Sequence, residues 1–176
     1  ANLKRDFESG RLDSSGLNVL REDHRRFAGL ATAALALARD KKAPLSTVRQ
    51  LFDNYQDRAR SPLPLIQLAA AFKLMGDEGR MKSALDLAMT REYGITRRAN
   101  SYYDDWLGDY GSAVRDYALA YALANQYELR HDRVENLMTQ LAARMGNRSY
   151  LSTQEQMALL MAARAAGGDK STPWQA

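Results

Sequence analysis

The sequence predicts an all-α fold, and three observations lead to that prediction. No segment of the 176 residues alternates apolar and polar side chains as a half-buried strand does. Apolar residues recur instead at helical spacing, and Ser, Asp, Pro and Gly stand where helices begin and end. Helices that are apolar on nearly every side also alternate along the chain with helices that carry a single apolar stripe.

This alternation predicts how the helices are layered. A helix that is apolar on every side has to be covered on every side, whereas a striped helix covers a neighbour and faces water. We therefore expect two layers of antiparallel helical hairpins, the arrangement of a partial α/α toroid. The predicted inner segments are 27–38, 63–75, 117–124 and 157–166, and the predicted outer segments are 46–58, 81–89 and 134–141.

Short polar motifs mark the ends of these helices. A Ser or Asp at the N-cap accepts a hydrogen bond from a free backbone N–H, and a Glu three residues later completes a capping box. The predicted helix starts are Ser46, Ser61 with Pro62, Asp77, Ser112, the box of Asp132 with Glu135 and the box of Ser152 with Glu155, and the predicted ends include Arg58, Gly76, Gly146 and Gly167.

Composition excludes several classes of function. The chain has no cysteine, which excludes thiol nucleophiles, disulfides and cysteine-ligated zinc. Its two histidines, His24 and His131, are too few for a multi-histidine metal centre and are expected at the surface among charged neighbours.

The net charge is only +4 and basic pairs are scattered among acids, so we expect no nucleic-acid binding. No apolar run reaches about 18 residues, so this chain is not expected to insert into a membrane. No phosphate-binding loop is present, and no cofactor is expected.

The chain divides into three predicted parts. Residues 1–20 form a poorly defined N-terminal segment with a short helix over residues 3–9, and residues 21–167 form the helical domain. Residues 168–176 are rich in Gly, Ser and Pro and are expected to be a linker towards a following domain.

An irregular segment between residues 93 and 110 interrupts the helices. Its aromatic side chains are expected to pin it onto the helices, and they are also candidates for an interface: Tyr102, Tyr103, Trp106 and Tyr110. Its carboxylates, together with one that follows, are interpreted as cap and turn residues: Asp104, Asp105, Asp109 and Asp116. A carbohydrate-active enzyme on an α/α toroid, using Asp104, Asp105 or Asp109, is kept as an alternative.

Three stretches resemble the thioester domain of the bacterial alpha-2-macroglobulins. They are the helix pair around Leu74-Met75-Gly76-Asp77, the motif Tyr110-Gly111-Ser112-x-x-Arg115-Asp116, and the motif Ser152-Thr153-Gln154-Glu155. The last two motifs, in this order and one helical hairpin apart, are the more specific. The resemblance extends over about 26–167, most of the chain.

The resemblance implies a fold and a function. In that family the domain is an α/α toroid, and the whole protein is a broad-spectrum protease trap rather than an enzyme. It also implies a periplasmic location, a parent anchored to the inner membrane as a lipoprotein, target proteases and neighbouring domains as partners, and in some lineages a penicillin-binding protein. Arg115 and Gln154 are then further candidates for inter-domain hydrogen bonds.

One departure from the family concerns the thioester. The family forms it from a Cys-x-Glu-Gln motif, and this chain contains no cysteine, so no thioester residue is assigned to it. Either the chain corresponds to the later half of a thioester domain or its parent belongs to the lineage without a thioester. A TPR-like scaffold for protein binding is the second alternative, although the helix starts show no period of roughly 34 residues.

Overall fold

A computed structural model of the protein describes residues 17–94, 107, 109, 111–146 and 150–167, with side chains from residue 20 onward. This part of the chain contains seven α-helices, one short 3₁₀ helix and no strand, which confirms the all-α prediction. The helix predicted over residues 3–9 and the linker predicted over residues 168–176 lie outside the described residues. None of the described helices is both long and apolar enough to cross a bilayer.

The described helices are arranged around two central ones. They are α1 (Leu17–Arg39), α2 (Leu45–Tyr55), α3 (Leu63–Leu74), α4 (Glu78–Thr90), α5 (Ala113–Gln126), α6 (Asn136–Met145) and α7 (Thr153–Gly167), with the 3₁₀ helix Gln56–Arg58 following α2. Helix α3 packs against α1, α4 and α5, and α5 packs in turn against α6 and α7. The two helices α3 and α5 therefore form the centre of the described structure.

Burial confirms the predicted layers for the central helices. Helix α3 is apolar on nearly all sides and its Leu65, Ile66, Leu68 and Phe72 are completely buried. The outer helix α2 buries one stripe, and the ring of its Phe52 meets Phe72 edge to face at 5.7 Å. Small residues on α5, chiefly alanine, allow the neighbouring helices to approach closely.

Helices α1 and α7 are not covered as predicted. Both were expected in the inner layer, yet each buries one face only. On α7 the buried apolar side chains are Ala158 and Ala162, whereas Met157, Leu160 and Met161 are 56%, 48% and 38% exposed. The physical reason is that α7 packs mainly against α5, which covers its alanine side, and no other described helix makes extensive contact with α7.

Four predicted helix boundaries are confirmed by their contacts. Asp77 and Ser112 each accept a hydrogen bond from the backbone N–H three residues later, at 3.3 Å and 3.2 Å. Ser152 and Glu155 form the reciprocal bonds of a capping box, at 2.8 Å and 3.3 Å. Gly76 closes α3 with φ of +74°, a left-handed conformation that favours glycine.

Three predicted caps are wrong. The N-cap of α2 lies two residues earlier than predicted, at Pro44, which leaves Ser46 inside the first turn. Pro62 likewise replaces Ser61 as the N-cap of α3.

The third is the box of Asp132 with Glu135. Residues 132–135 form turns, and α6 begins only at Asn136. The side chain of His131 accepts the hydrogen bond from Arg133 N–H, at 2.9 Å, in the turn where the cap was expected.

Candidate functional site

The candidate site is a junction of polar side chains between the starts of α5 and α7. Ser112, the N-cap of α5, donates a hydrogen bond of 2.6 Å from its hydroxyl to Glu155 on α7. The second carboxylate oxygen of Glu155 accepts from Ser152 N–H at 2.8 Å. Glu155 is only 4% exposed, so these bonds form away from bulk water. The Tyr-Gly-Ser-x-x-Arg-Asp and Ser-Thr-Gln-Glu motifs thus meet in space.

Arg115 lies between two carboxylates at this junction. Its Nη2 atom is 2.8 Å from Asp109 Oδ2 and 2.6 Å from Asp116 Oδ1, and its Nε donates to the same Asp116 oxygen at 2.8 Å. Burial would lower the pKa of Arg115, but the two carboxylates outweigh it and raise that pKa. The guanidinium is therefore a permanent cation that joins the end of the loop to α5.

The spacing of the glycine and arginine in the motif follows from this geometry. A Cβ atom on Gly111 would lie 2.2 Å from Arg115 Nη2 and 2.8 Å from Asp109 Oδ1. Any other residue at 111 would therefore push the guanidinium or the carboxylate out of place. The backbone N–H of Gly111 also donates to Asp109 at 3.0 Å.

The pKa values of the two carboxylates are shifted in opposite directions. Burial alone would raise the pKa of Asp109, but His24, Arg115 and the N–H of Gly111 hold it well below its ordinary range. Asp116 is fully buried, and this desolvation raises its pKa despite the ion pair with Arg115. Asp109 is thus a stable carboxylate and a poor proton donor, which argues against its use as the general acid of a glycosidase.

His24 is buried at this junction, which corrects the prediction of a surface histidine. Its side chain is completely buried, its Nδ1 accepts from Arg60 N–H at 3.0 Å, and its Nε2 lies 3.8 Å from Asp109 Oδ2. The exposed Arg25 and Arg26, which follow His24 in sequence, conceal its orientation. His131 is 20% exposed, and its Nε2 lies 3.2 Å from Asp86 Oδ1.

His24, Asp109 and Asp116 bring potential ligand atoms within 4.8 Å of one another, a spacing suited to a metal ion. Two features of the donor set do not fit one. Because Nδ1 of His24 accepts a hydrogen bond, the proton of the neutral ring is on Nε2, which then cannot bind a metal. Arg115 also already supplies the positive charge between the two carboxylates. The cluster is therefore an ion-pair network.

A cleft of about 500 Å³ opens beside this network between α1, α3 and α5. Ala28, Leu63 and Leu119 form part of its apolar walls, and Asp109 and Arg115 lie at its polar end. The charged groups at that end are paired with each other.

The predicted interface residues are distributed unevenly. Arg115 is at the junction and its guanidinium is engaged inside the chain, whereas Gln154 is exposed on the first turn of α7. The four aromatic candidates and two of the aspartates lie outside the described residues: Tyr102, Tyr103, Trp106, Tyr110, Asp104 and Asp105. The interface role of all these side chains stays a prediction.

Comparison with known proteins gives a consistent result. No protein-family model matches the chain. The alpha-2-macroglobulin of Escherichia coli K12 is 40% identical over 151 residues, covering 86% of this chain and 9% of the relative. That of Xylella fastidiosa Temecula1 is 36% identical over 144 residues, covering 79% of this chain and 8% of the relative. The chain thus spans less than a tenth of the length of these relatives.

Solved structures agree with the sequence comparison. A Salmonella alpha-2-macroglobulin mutant superposes with a TM-score of 0.73 and 34% identity, over 93% of this chain and 10% of that one. The native conformation of the E. coli protein gives a TM-score of 0.70 and 39% identity, over 81% of this chain and 8% of that one. Through homology to one segment of those much longer proteins, the chain belongs to the bacterial alpha-2-macroglobulin family.

Proposed function

We propose that this chain is a helical scaffold and inter-domain interface within a bacterial broad-spectrum protease inhibitor that traps its targets. The observation that carries the proposal is the combined sequence and structural match to one segment of the E. coli and Salmonella alpha-2-macroglobulins. Two structures of the E. coli protein are described as activated by porcine elastase and by trypsin. Target proteases are accordingly the first partners to test.

The contacts at the junction support the scaffold role. Ser112, Glu155 and Ser152 are hydrogen-bonded to one another, and Arg115 forms ion pairs with two carboxylates, so these side chains hold helix starts together. Neither His24 nor His131 is hydrogen-bonded to a serine hydroxyl among the described residues. With no cysteine, the chain cannot supply the thiol of a thioester. These features support a non-enzymatic part that assists trapping.

The proposal extends to location and further partners. A periplasmic parent, anchored to the inner membrane as a lipoprotein and working beside a penicillin-binding protein in some lineages, is what homology to bacterial relatives suggests. Fractionation of cells that express the tagged parent tests the location. Recovery in the cytoplasmic fraction would contradict this part of the proposal.

The decisive experiment uses the full-length parent and trypsin. After incubation, a denaturing gel reports covalent conjugates, and parallel assays measure cleavage of a small peptide substrate and of a large protein substrate. Trapping predicts that small-substrate cleavage persists while large-substrate cleavage falls. A conjugate in addition would indicate a thioester elsewhere in the parent, and its absence would indicate the lineage without one. Trypsin with its active site blocked serves as the control.

Unhindered cleavage of the large substrate would contradict the trapping function.

The interface role is tested separately through Gln154, which is exposed in this chain. If it contacts another domain, Gln154→Ala should leave the unfolding of this chain unchanged and lower the thermal stability of the parent. If Gln154→Ala leaves the stability of the chain and of the parent unchanged, Gln154 is not part of the interface.

A further inference from the structure

Two arginines lie close together on the side of the molecule where the 3₁₀ helix leads into α3. Arg60 is in that connection, and Arg91 follows the end of α4. A backbone hydrogen bond of 2.9 Å, from Gly94 N–H to the carbonyl of Arg60, holds the two segments side by side. The N–H of Arg60 also donates to buried His24 at 3.0 Å, so the position of Arg60 is fixed by the core.

Both side chains are half-buried, and their charges are poorly compensated. The Nε atoms of Arg60 and Arg91 are inaccessible to water and have no hydrogen-bond partner. Other arginines of the molecule, including Arg49, Arg80 and Arg115, lie within 4.0 Å of a carboxylate oxygen. Among the described residues, neither Arg60 nor Arg91 has such a carboxylate.

The electrostatics agree with this geometry. Burial lowers the pKa of Arg91, and the positive charge of Arg60 lowers it further. Asp57 acts in the opposite direction, but its side chain is 73% exposed and lies 3.6 Å from Arg58. Two like charges with unsatisfied, half-buried donors are costly unless an anion joins them.

We propose that Arg60 and Arg91 form a binding site for an oxyanion. A guanidinium presents parallel N–H groups in a planar fork that fits the oxygens of phosphate, sulfate or a carboxylate. One anion between the two forks would accept hydrogen bonds from the outer Nη N–H groups of both arginines and neutralise the repulsion. The site is separate from the Ser112–Glu155 junction and does not depend on the protease-trap proposal.

The test uses the full 176-residue chain with ¹⁵N-labelled arginine side chains. Inorganic phosphate is titrated at neutral pH while sodium chloride keeps the ionic strength constant, and the Nε–Hε resonances are followed by NMR. We expect a saturable shift at two resonances, which Arg60→Gln and Arg91→Gln identify by removing one each. In either variant the shift of the remaining resonance should be lost. Arg130→Gln, at an exposed arginine, is the matched control and should retain both shifts.

A parallel titration with acetate distinguishes the source of the anion. Saturation with phosphate alone assigns the site to a free tetrahedral oxyanion, whereas saturation with acetate alone assigns it to a carboxylate, such as an acidic side chain of a neighbouring protein surface. Linear shifts shared by all arginines, or no shifts with either anion, would overturn the proposal. The wild-type titrations give this answer even if a variant folds poorly.

Thermal unfolding provides a second readout. At low ionic strength, Arg91→Gln should melt at a higher temperature than the Arg130→Gln control, because it removes the repulsion with Arg60. Added phosphate should then raise the melting temperature of the wild type and the control more than that of Arg91→Gln. An equal response of all three proteins would argue against a specific site.

Discussion

The hydroxyl of Ser112 donates a 2.6 Å hydrogen bond to Glu155, a residue 43 positions later in the chain. Each residue is also part of the local cap of its own helix, since Ser112 accepts from Arg115 N–H and Glu155 accepts from Ser152 N–H. One short polar contact therefore fixes the starts of α5 and α7 relative to each other. The same contact explains why two separated motifs occur together.

Replacing Glu155 by alanine should destabilise the chain by about 2–3 kcal/mol, because the Ser112 hydroxyl and the Ser152 N–H each lose a charged partner in a buried position. Urea denaturation of both proteins measures the difference. The control is Gln154→Ala on the same turn of α7, which should change the unfolding free energy by less than about 0.5 kcal/mol. Equal stabilities for the two variants would mean that the junction does not hold α7.

Gly111→Ala should destabilise the chain by about 1–2 kcal/mol, because the new Cβ would lie 2.2 Å from Arg115 Nη2 and displace its ion pairs. Gly79→Ala is the matched control, since a Cβ there meets nothing within 4 Å. Gly79 lies in helix α4, so alanine should be neutral or stabilise by up to about 1 kcal/mol. Thermal and urea unfolding compare the two, and a tolerated Gly111→Ala would count against the packed position of Arg115.

Asp109 should make stability depend on pH. Its folded pKa lies below the unfolded value of about 4, so its carboxylate stabilises the fold above that pH and this contribution is lost as the pH falls through the folded pKa. Asp109→Asn should therefore be less stable than the wild type at neutral pH, with a gap that narrows below about pH 4. Unfolding free energies measured from neutral to acid pH test this, and a gap independent of pH would be inconsistent with it.

The two serines that the sequence predicts as caps should contribute differently to stability. Ser152→Ala should cost about 1 kcal/mol, because Ser152 Oγ accepts from Glu155 N–H at the start of α7. Ser46→Ala should be nearly neutral, because Pro44 begins α2 and the Ser46 side chain is exposed. The difference in urea midpoint between these variants measures the capping contribution, and a larger loss at Ser46 would contradict the boundary of α2.

Features set by local chemistry were the ones that could be predicted from the sequence. Asp77, Ser112 and Ser152 act within one turn of helix, so their spacing alone reveals their role. At Ser46 a preceding proline already starts the helix, and at Asp132 the neighbouring His131 makes the side-chain bond to the turn. In both wrong cap predictions, a residue one or two positions earlier takes the role that was expected of the predicted cap.

Long-range contacts could not be predicted in this way. The buried orientation of His24 depends on Arg60 and Asp109, which are far away in sequence, and charged neighbours on α1 conceal it. Capping-box spacing identified Glu155, but nothing local indicates that Ser112 is its partner. The prediction that α7 is an inner helix was wrong because composition shows only which side chains a helix could bury. It does not show which neighbouring helices are present to bury them.

The small buried side chains of α7 determine how this helix should open. The fully buried apolar side chains of α7, Ala158 and Ala162, are small, and Leu159 is only partly buried, so the carboxylate of Glu155 supplies a large share of the attachment to α5. Opening of α7 as a unit should therefore need less free energy than global unfolding, which has to expose Leu65, Ile66 and Phe72 of α3. In native-state hydrogen exchange the amides of α7 would then form a separate cooperative unit, one that exchanges before the central helix.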